Sequence, residues 1–437
     1  VSQTSQPRRD TAGAPQDTAA APGVAPAVAA KAPQIDPRLV VRERGLRGWA
    51  EETRRRVTSG ELGSIPVIIG LIVIWAVFQG LNDRFLSAQN LSNLSVDIVS
   101  TGLIAVGIVW VLLLGEIDLS AGSVSGVCAA VLAVLSVNQG VNPVLAVIAA
   151  MAVGGVLGLV HGFFFARIGV PAFVVTLAGM LGWNGLQLSV LGPNGSINFP
   201  YDGFVGSLTA TYFEYQIAAY GLAIVVIAGY LGLSLLGNRR RAAAGIPTRS
   251  TEEIAIRTGV LAVLVLAAAW LLNQYMGLPL ALVIFIAVVV GMEFVLRRTT
   301  FGRQVFAVGG NVEAARRAGI PVARVRMTVF AISGTMAALG GVFAASRIFS
   351  ASQATGSSTV LMNAIAAAVI GGTSLFGGRG SMYSALIGVL VIQSIASGMA
   401  LQGISNSVQF MVTGAVLLAA VVIDSVSRRN QRSSGRV

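Results

Sequence analysis

Glu116 and Asp118 stand two residues apart in the run Gly115-Glu116-Ile117-Asp118-Leu119-Ser120-Ala121-Gly122-Ser123, directly after a long apolar stretch. An aspartate at the centre of a bilayer span costs roughly 2.5–3.5 kcal/mol, so such carboxylates are normally paired, hydrated or functional. The chemistry open to them is binding: a coupling proton, a cation, or the hydroxyls of a polar solute. The surrounding Gly and Ser residues permit a helix break, after which Asp118 or Ser120 can cap the next helix. The same residues also read as an interfacial loop with Asp118 as an ordinary N-cap.

Covalent chemistry finds little to work with. His161 is the only histidine and Cys128 the only cysteine, which excludes histidine clusters, an internal disulfide and any multi-cysteine metal site. No nucleophile with a nearby base and no metal set can be assembled from one histidine, so a membrane enzyme is a weak reading. Lys31 is the only lysine and lies near the N-terminus. A phosphate-binding loop ending in Gly-Lys-Ser/Thr therefore does not exist in this chain. A proton relay wants a row of titratable groups, and His161 and Glu293 are the only others within apolar runs. Glu293 lies one turn before Arg297, where an ion pair is the plain expectation.

The elements that must position these residues are membrane spans. Of 437 residues, 54% are hydrophobic and 11% charged, with a mean hydropathy of +0.77, which fits a polytopic membrane protein and no soluble domain. Nine runs are essentially free of charge: 62–82, 98–115, 119–160, 168–201, 215–238, 258–292, 327–346, 348–378 and 380–423. Three of them are long enough for two passes and carry a polar or Pro/Gly break, at 138–143, 273–279 and 402–406. Small residues recur within the runs, at Gly154, Gly155 and Gly158 and at Gly340 and Gly341, and predict close contacts between helices. The expectation is an all-α polytopic membrane protein of ten to twelve transmembrane helices, some broken or re-entrant.

Net charge is +12. The arginines fall in short loops and tails, as membrane orientation requires, and do not form a nucleic-acid surface. With the N-terminus inside, the inside segments include 239–257 with five Arg, the loop 297–326 with seven, and the tail residues Arg428, Arg429, Arg432 and Arg436, whereas the outside segments hold Arg84 and Arg347. Both termini are expected in the cytoplasm. Residues 1–60 read as a disordered tail followed by a basic juxtamembrane segment (37–57), residues 61–426 as the membrane domain, and 427–437 as a cytoplasmic tail.

Three further stretches stand out. In the loop 297–326, Asn311 is placed as an N-cap, Glu313 in the first turn, Arg316 and Arg317 in the last, and Gly319 as the closing residue of a short helix with an alanine face of Ala314, Ala315 and Ala318. Such a knob suits a grip by another protein, and equally suits a solvated positive-inside loop. Ile370-Gly371-Gly372-Thr373-Ser374-Leu375-Phe376-Gly377-Gly378-Arg379-Gly380-Ser381 ends one apolar segment and opens another, echoing the stretch around Asp118. Two such breaks suggest an internal repeat and a transport path near the midplane. Finally, Pro171 can begin a helix that carries Asn184 and Gln187, and Asn363 precedes the second break. These amides face either neighbouring helices or a polar path.

The Gly309–Ile320 run, Gly-Gly-Asn-Val-Glu-Ala-Ala-Arg-Arg-Ala-Gly-Ile, resembles the coupling loop of bacterial ATP-binding-cassette sugar permeases of the ribose/xylose/galactose branch. Ile117-Asp118-Leu119-Ser120 resembles that family's Gly-Gly-Ile-Asp-Leu-Ser motif, with Glu116 in the second Gly position as in its xylose branch. Gly371-Gly372-Thr373-Ser374-Leu375 with Gly377-Gly378 matches its Gly-Gly-Thr-Ser-Leu-x-Gly-Gly. An extra apolar hairpin at 258–292 also looks like the xylose permeases.

The resemblance implies a permease that imports a monosaccharide, xylose or a related pentose, across the bacterial cytoplasmic membrane. It further implies a homodimer, an ATPase subunit gripping Gly310, Asn311, Glu313, Ala314, Ala315, Arg316 and Gly319, and an extracytoplasmic sugar-binding protein. ATP and Mg would sit on the partner ATPase, with no cofactor on this chain. The pathway candidates are Glu116, Asp118, Ser120, Asn184, Gln187, Asn363, Thr373 and Ser374. The competing expectation is an ion-coupled secondary sugar transporter that uses Glu116 and Asp118.

Overall fold

The structure, a computed structural model, describes residues 65–214, 216–246 and 248–433. The expectations for the N-terminal tail and its basic segment lie outside these residues. Fifteen α-helices make up most of the described chain. Among the described residues nine are long and apolar enough to cross a membrane, and three shorter apolar stretches lie at Pro66–Leu81, Ser358–Ile370 and Asn406–Ala419. Each apolar segment read from the sequence corresponds to one of these helices.

Helices α1 (Ile65–Leu81), α2 (Ala88–Leu113), α3 (Ala121–Ala133, continued by a wider turn to Asn138), α4 (Pro143–Phe163, continued likewise to Ile168) and α5 (Ala172–Leu191) form the first half. After the short α6 (Phe204–Ala210) come the hairpin α7 (Gln216–Ala243) and α8 (Thr251–Asn273), then α9 (Leu280–Arg298). Two short helices, α10 (Thr300–Gly310) and α11 (Val312–Arg317), lead to α12 (Val322–Ile348), α13 (Ser358–Ile370), α14 (Met382–Leu401) and α15 (Asn406–Ser433). Helix α15 runs through the first residues of the segment expected as a separate C-terminal tail. Two small antiparallel pairings tie loops together: β1 (Ser196–Asn198) with β4 (Ser350–Ser352), and β2 (Tyr212–Phe213) with β3 (Leu278–Pro279).

The centre is α2, buried almost throughout from Leu91 to Leu113, with Trp110 wholly enclosed. Helix α12 lies against α2, α3 and α4, and glycine makes those approaches possible. A Cβ on Gly154 or Gly158 would collide with the carbonyls of Gly334 or Phe330, and one on Gly341 with that of Ser125. Helices in a bilayer gain little from the hydrophobic effect against one another, so close backbone packing through small residues supplies the attraction. These approaches agree with the close helix contacts expected at Gly154, Gly155, Gly158, Gly340 and Gly341. Hairpin α7–α8 forms a smaller cluster of its own around Ala219, Ala223, Ala269 and Leu272.

Candidate functional site

Helix α2 ends at Leu113, and Gly115 turns the chain with φ +79°, which a Cβ would strain. The turn delivers Asp118 into the interior, 4% exposed. Its Oδ1 accepts from the Ser120 amide at 2.9 Å and from Ser120 Oγ at 2.5 Å, and its Oδ2 accepts from Ser333 Oγ of α12 at 3.1 Å. Ser120 occupies the N-cap position of α3, yet its side chain makes no capping bond, because Asp118 takes it. Three donors on one carboxylate satisfy a buried charge that would otherwise be very unfavourable.

The chain of bonds continues. Ser120 Oγ lies 3.2 Å from His161 Nδ1 of α4, and His161 Nε2 accepts from Trp183 Nε1 of α5 at 2.8 Å. The proton positions follow from the partners. An indole N–H only donates, so Nε2 is bare. The Ser120 hydroxyl proton goes to Asp118, so Nδ1 carries the hydrogen and His161 is neutral. Sequence spacing gave no sign that His161 belongs with Asp118. Helix α5 presents Trp183 and Gln187 on one stripe, and the packing of α4 between α12 and α5 closes the chain.

Glu116, two residues earlier, lies 3.8 Å from Arg326 of α12, whose guanidinium sits 4.3 Å over the Phe165 ring. Burial pushes the Glu116 carboxyl above its ordinary value, and the Arg326 charge offsets part of that.

The second glycine-rich turn packs against the first. Gly372, Gly377 and Gly378 all have positive φ, and the Gly378 amide donates to the Leu113 carbonyl at 3.0 Å. Ser374 is buried; its amide donates to the Arg379 carbonyl at 3.0 Å and its Oγ accepts from the Phe376 amide at 3.1 Å. Thr373 is also buried, and its Oγ1 has no hydrogen-bond partner among the described residues. Glu293 holds the start of α14: Oε2 accepts from the Met382 amide at 2.7 Å and from Ser381 Oγ at 3.1 Å, while Oε1 pairs with Arg297 at 3.0 Å. The expected Glu293–Arg297 pair exists, and it also caps a neighbouring helix.

The basic loop contains the expected short helix, α11, and a second one, α10, before it. Thr299 caps α10, accepting from the Gly302 amide at 3.1 Å. Asn311 then caps α11, accepting from the Ala314 amide at 2.9 Å, Glu313 pairs with Arg316 at 3.0 Å, and Gly319 closes the turn at φ +79°. The alanines do not form one face: Ala315 is buried, whereas Ala314 and Ala318 are exposed with Gly310, Asn311, Glu313 and Arg316. A Cβ on Gly309, at the end of α10, would collide with the Leu113 carbonyl, and one on Gly377 would lie 2.6 Å from the Gly309 carbonyl. The basic loop thus touches both glycine-rich turns.

The remaining pathway candidates are scattered. Gln187 is buried and donates to the carbonyls of Ser352 at 2.8 Å and Thr355 at 2.9 Å. It therefore binds backbone in a third break, between α12 and α13, which falls inside the apolar run 348–378. The polar run Ser350-Ala351-Ser352-Gln353-Ala354-Thr355-Gly356-Ser357-Ser358 was the available signal. Pro171 precedes α5 as its N-cap and does not occupy its first turn. Asn184 is exposed on α5, and Asn363 is half-buried on α13.

Residues 90–421 match the protein family described as "Branched-chain amino acid transport system / permease component". The chain is 38% identical over 368 residues to the xylose transport system permease protein XylH of Escherichia coli (strain K12), covering 83% of this chain and 92% of that protein. It is 35% identical to XylH of Haemophilus influenzae, covering 83% and 96% of the two chains. With the ribose import permease protein RbsC of Bacillus subtilis the identity is 31%, covering 85% and 96%. No solved structure matches.

Proposed function

Because this chain belongs to the branched-chain amino acid transport system / permease component family, we propose that it is the membrane-spanning subunit of an ATP-driven importer of a monosaccharide, xylose or a related pentose. Membership makes the chain a multi-pass transport subunit and not an enzyme. The names of the similar xylose and ribose permeases support a sugar as cargo. ATP and Mg belong to a separate ATPase, since the single lysine leaves no phosphate loop here. An extracytoplasmic binding protein would deliver the sugar. The arginine-rich loops favour cytoplasmic termini.

One observation carries this reading: the basic loop meets both glycine-rich turns at Gly309, so a pull on α10 and α11 reaches the ends of α2 and α13 directly. Closure of two ATPases on two such loops would then alternate access between the membrane faces. A second copy is favoured by α5, whose exposed face combines Phe173, Leu177, Leu181 and Leu188 with the amide Asn184. An amide facing lipid is unfavourable, so a protein partner or a polar path along that face suits it better. The secondary-transporter alternative is disfavoured, because Asp118 already accepts three hydrogen bonds and Glu116 adjoins Arg326.

The test is ATP hydrolysis by this chain reconstituted with its ATPase and a sugar-binding protein. Xylose-loaded binding protein should stimulate hydrolysis, and Glu313→Ala or Gly319→Pro should uncouple it. Uptake driven by an ion gradient without any ATPase would overturn the reading. In a Cys128→Ser background, Asn184→Cys should cross-link two copies, and a failure to do so removes α5 as the shared face.

A further inference from the structure

Beside α11 a cavity of about 440 Å³ is lined by Arg167, Arg316, Arg324 and Arg326. The four guanidiniums come from three elements: the wide turn ending α4, the helix α11, and the first turns of α12. Two carboxylates answer them. Glu313 pairs with Arg316 at 3.0 Å, and Glu116 lies 3.8 Å from Arg326. Arg167 and Arg324 are exposed and have no carboxylate partner among the described residues. The Arg326 Nε–H is buried and has no acceptor among them. A buried N–H of this kind calls for an acceptor, and the two exposed arginines beside it offer an anion further donors and positive charge.

We propose that this cavity binds a phosphate group, carried by an anionic membrane lipid or by a soluble phosphate. Arginine supplies all the cationic lining, and its planar fork matches phosphate oxygens in pairs, where a lysine would offer a point charge. A single carboxylate from an apposed protein neutralises one charge and leaves the other. Phe164 and Ile168, in the same turn as Arg167, are exposed and set apolar surface beside the cationic rim, an arrangement that suits a phospholipid. The proposal is independent of which sugar the chain transports.

The full chain is tested in two arms. In nanodiscs of phosphatidylcholine mixed with phosphatidylglycerol, native mass spectrometry reads the phosphatidylglycerol retained. In detergent, the shift in unfolding midpoint with inorganic phosphate at constant ionic strength reads the soluble ligand. Wild type should respond in at least one arm, and Arg167→Gln with Arg324→Gln should bind about tenfold more weakly, consistent with loss of charge-assisted bonds. Arg249→Gln, a basic residue elsewhere, should bind as wild type. Should the double glutamine variant fold poorly, the double lysine variant at the same positions keeps the charge, and intermediate binding is expected. A response in the lipid arm alone identifies a headgroup; in the phosphate arm alone, a soluble ligand. The proposal is overturned if neither arm responds, or if the glutamine variant binds phosphate as wild type does. Unchanged phosphate binding with lost ATPase assembly overturns it in favour of a protein carboxylate.

Discussion

The Gly378 amide donates to the Leu113 carbonyl at 3.0 Å, joining the glycine-rich turn after α13 to the last turn of α2. Gly309 of α10 lies against the same carbonyl, so three segments far apart in sequence meet at one oxygen. Here the absence of a side chain is a mechanical requirement, since any Cβ on Gly309 drives α10 off the turns.

Gly309→Ala should therefore destabilise the chain by about 1–3 kcal/mol, the usual range for overpacking. It should also depress partner-stimulated ATP hydrolysis. Gly310→Ala, whose Cβ meets nothing within 4 Å, should stay within about 0.5 kcal/mol of wild type. Equal effects of the two substitutions in an unfolding titration would remove Gly309 from the junction.

Glu116 predicts a pH dependence. Burial raises its carboxyl above the ordinary 4.5, and Arg326 cancels part of the rise. The folded chain therefore holds this proton more tightly than the unfolded chain does. Its contribution turns unfavourable as pH rises from the ordinary value through the raised one, and is constant beyond. Glu116→Gln removes that penalty, so the unfolding midpoint of wild type relative to the variant should fall as pH is raised above the ordinary carboxylate value of 4.5 and level off once the raised value is passed. A rise over the same interval would mean that the pairing with Arg326 outweighs burial.

Asp118 and His161 interact through Ser120. Asp118→Asn replaces an acceptor of three hydrogen bonds by an amide with one oxygen, and His161→Ala leaves the Trp183 N–H unpaired. Because both act on Ser120 Oγ, their effects should fail to add by roughly 0.5–3 kcal/mol in a double-mutant cycle. The His161→Ala variant should also shift Trp183 emission. Strict additivity would show that the 3.2 Å approach of Ser120 to His161 transmits nothing.

Much of the fold was legible because the spans announce themselves as apolar runs and the breaks as Gly, Pro and amide residues. A charge does not always mark the end of a span. Asp97 lies inside α2 because Arg347 pairs with it at 2.8 Å, and Arg257 lies inside α8 because Glu253 pairs with it at 2.7 Å. Such partners sit far along the chain or one turn away, and a hydropathy pattern does not see them. The capping of α11 was legible from Asn311 and Gly319, since caps are local chemistry. The bonds among Asp118, Ser120, His161 and Trp183 were not, because three helices must pack before they exist. Ala314 and Ala315 separated for the same reason: tertiary contact with Ala315 decided which side of α11 faces inward.

Gln187 separates scaffold from solute contact. Its amide donates to the Ser352 and Thr355 carbonyls at 2.8 and 2.9 Å, and a Cβ on Gly126 would collide with its Oε1. Gln187→Leu keeps the size and removes both donors, leaving two carbonyls of the descending stretch before α13 unsatisfied, each at about 1–3 kcal/mol. Gly126→Ala displaces the same amide from the opposite side. Both variants should lose stability and transport together, while the ratio of xylose to ribose uptake in the surviving activity stays at the wild-type value. A changed ratio in a Gln187→Leu protein of normal stability would mean that this amide reads the sugar and that the backbone bonds are incidental.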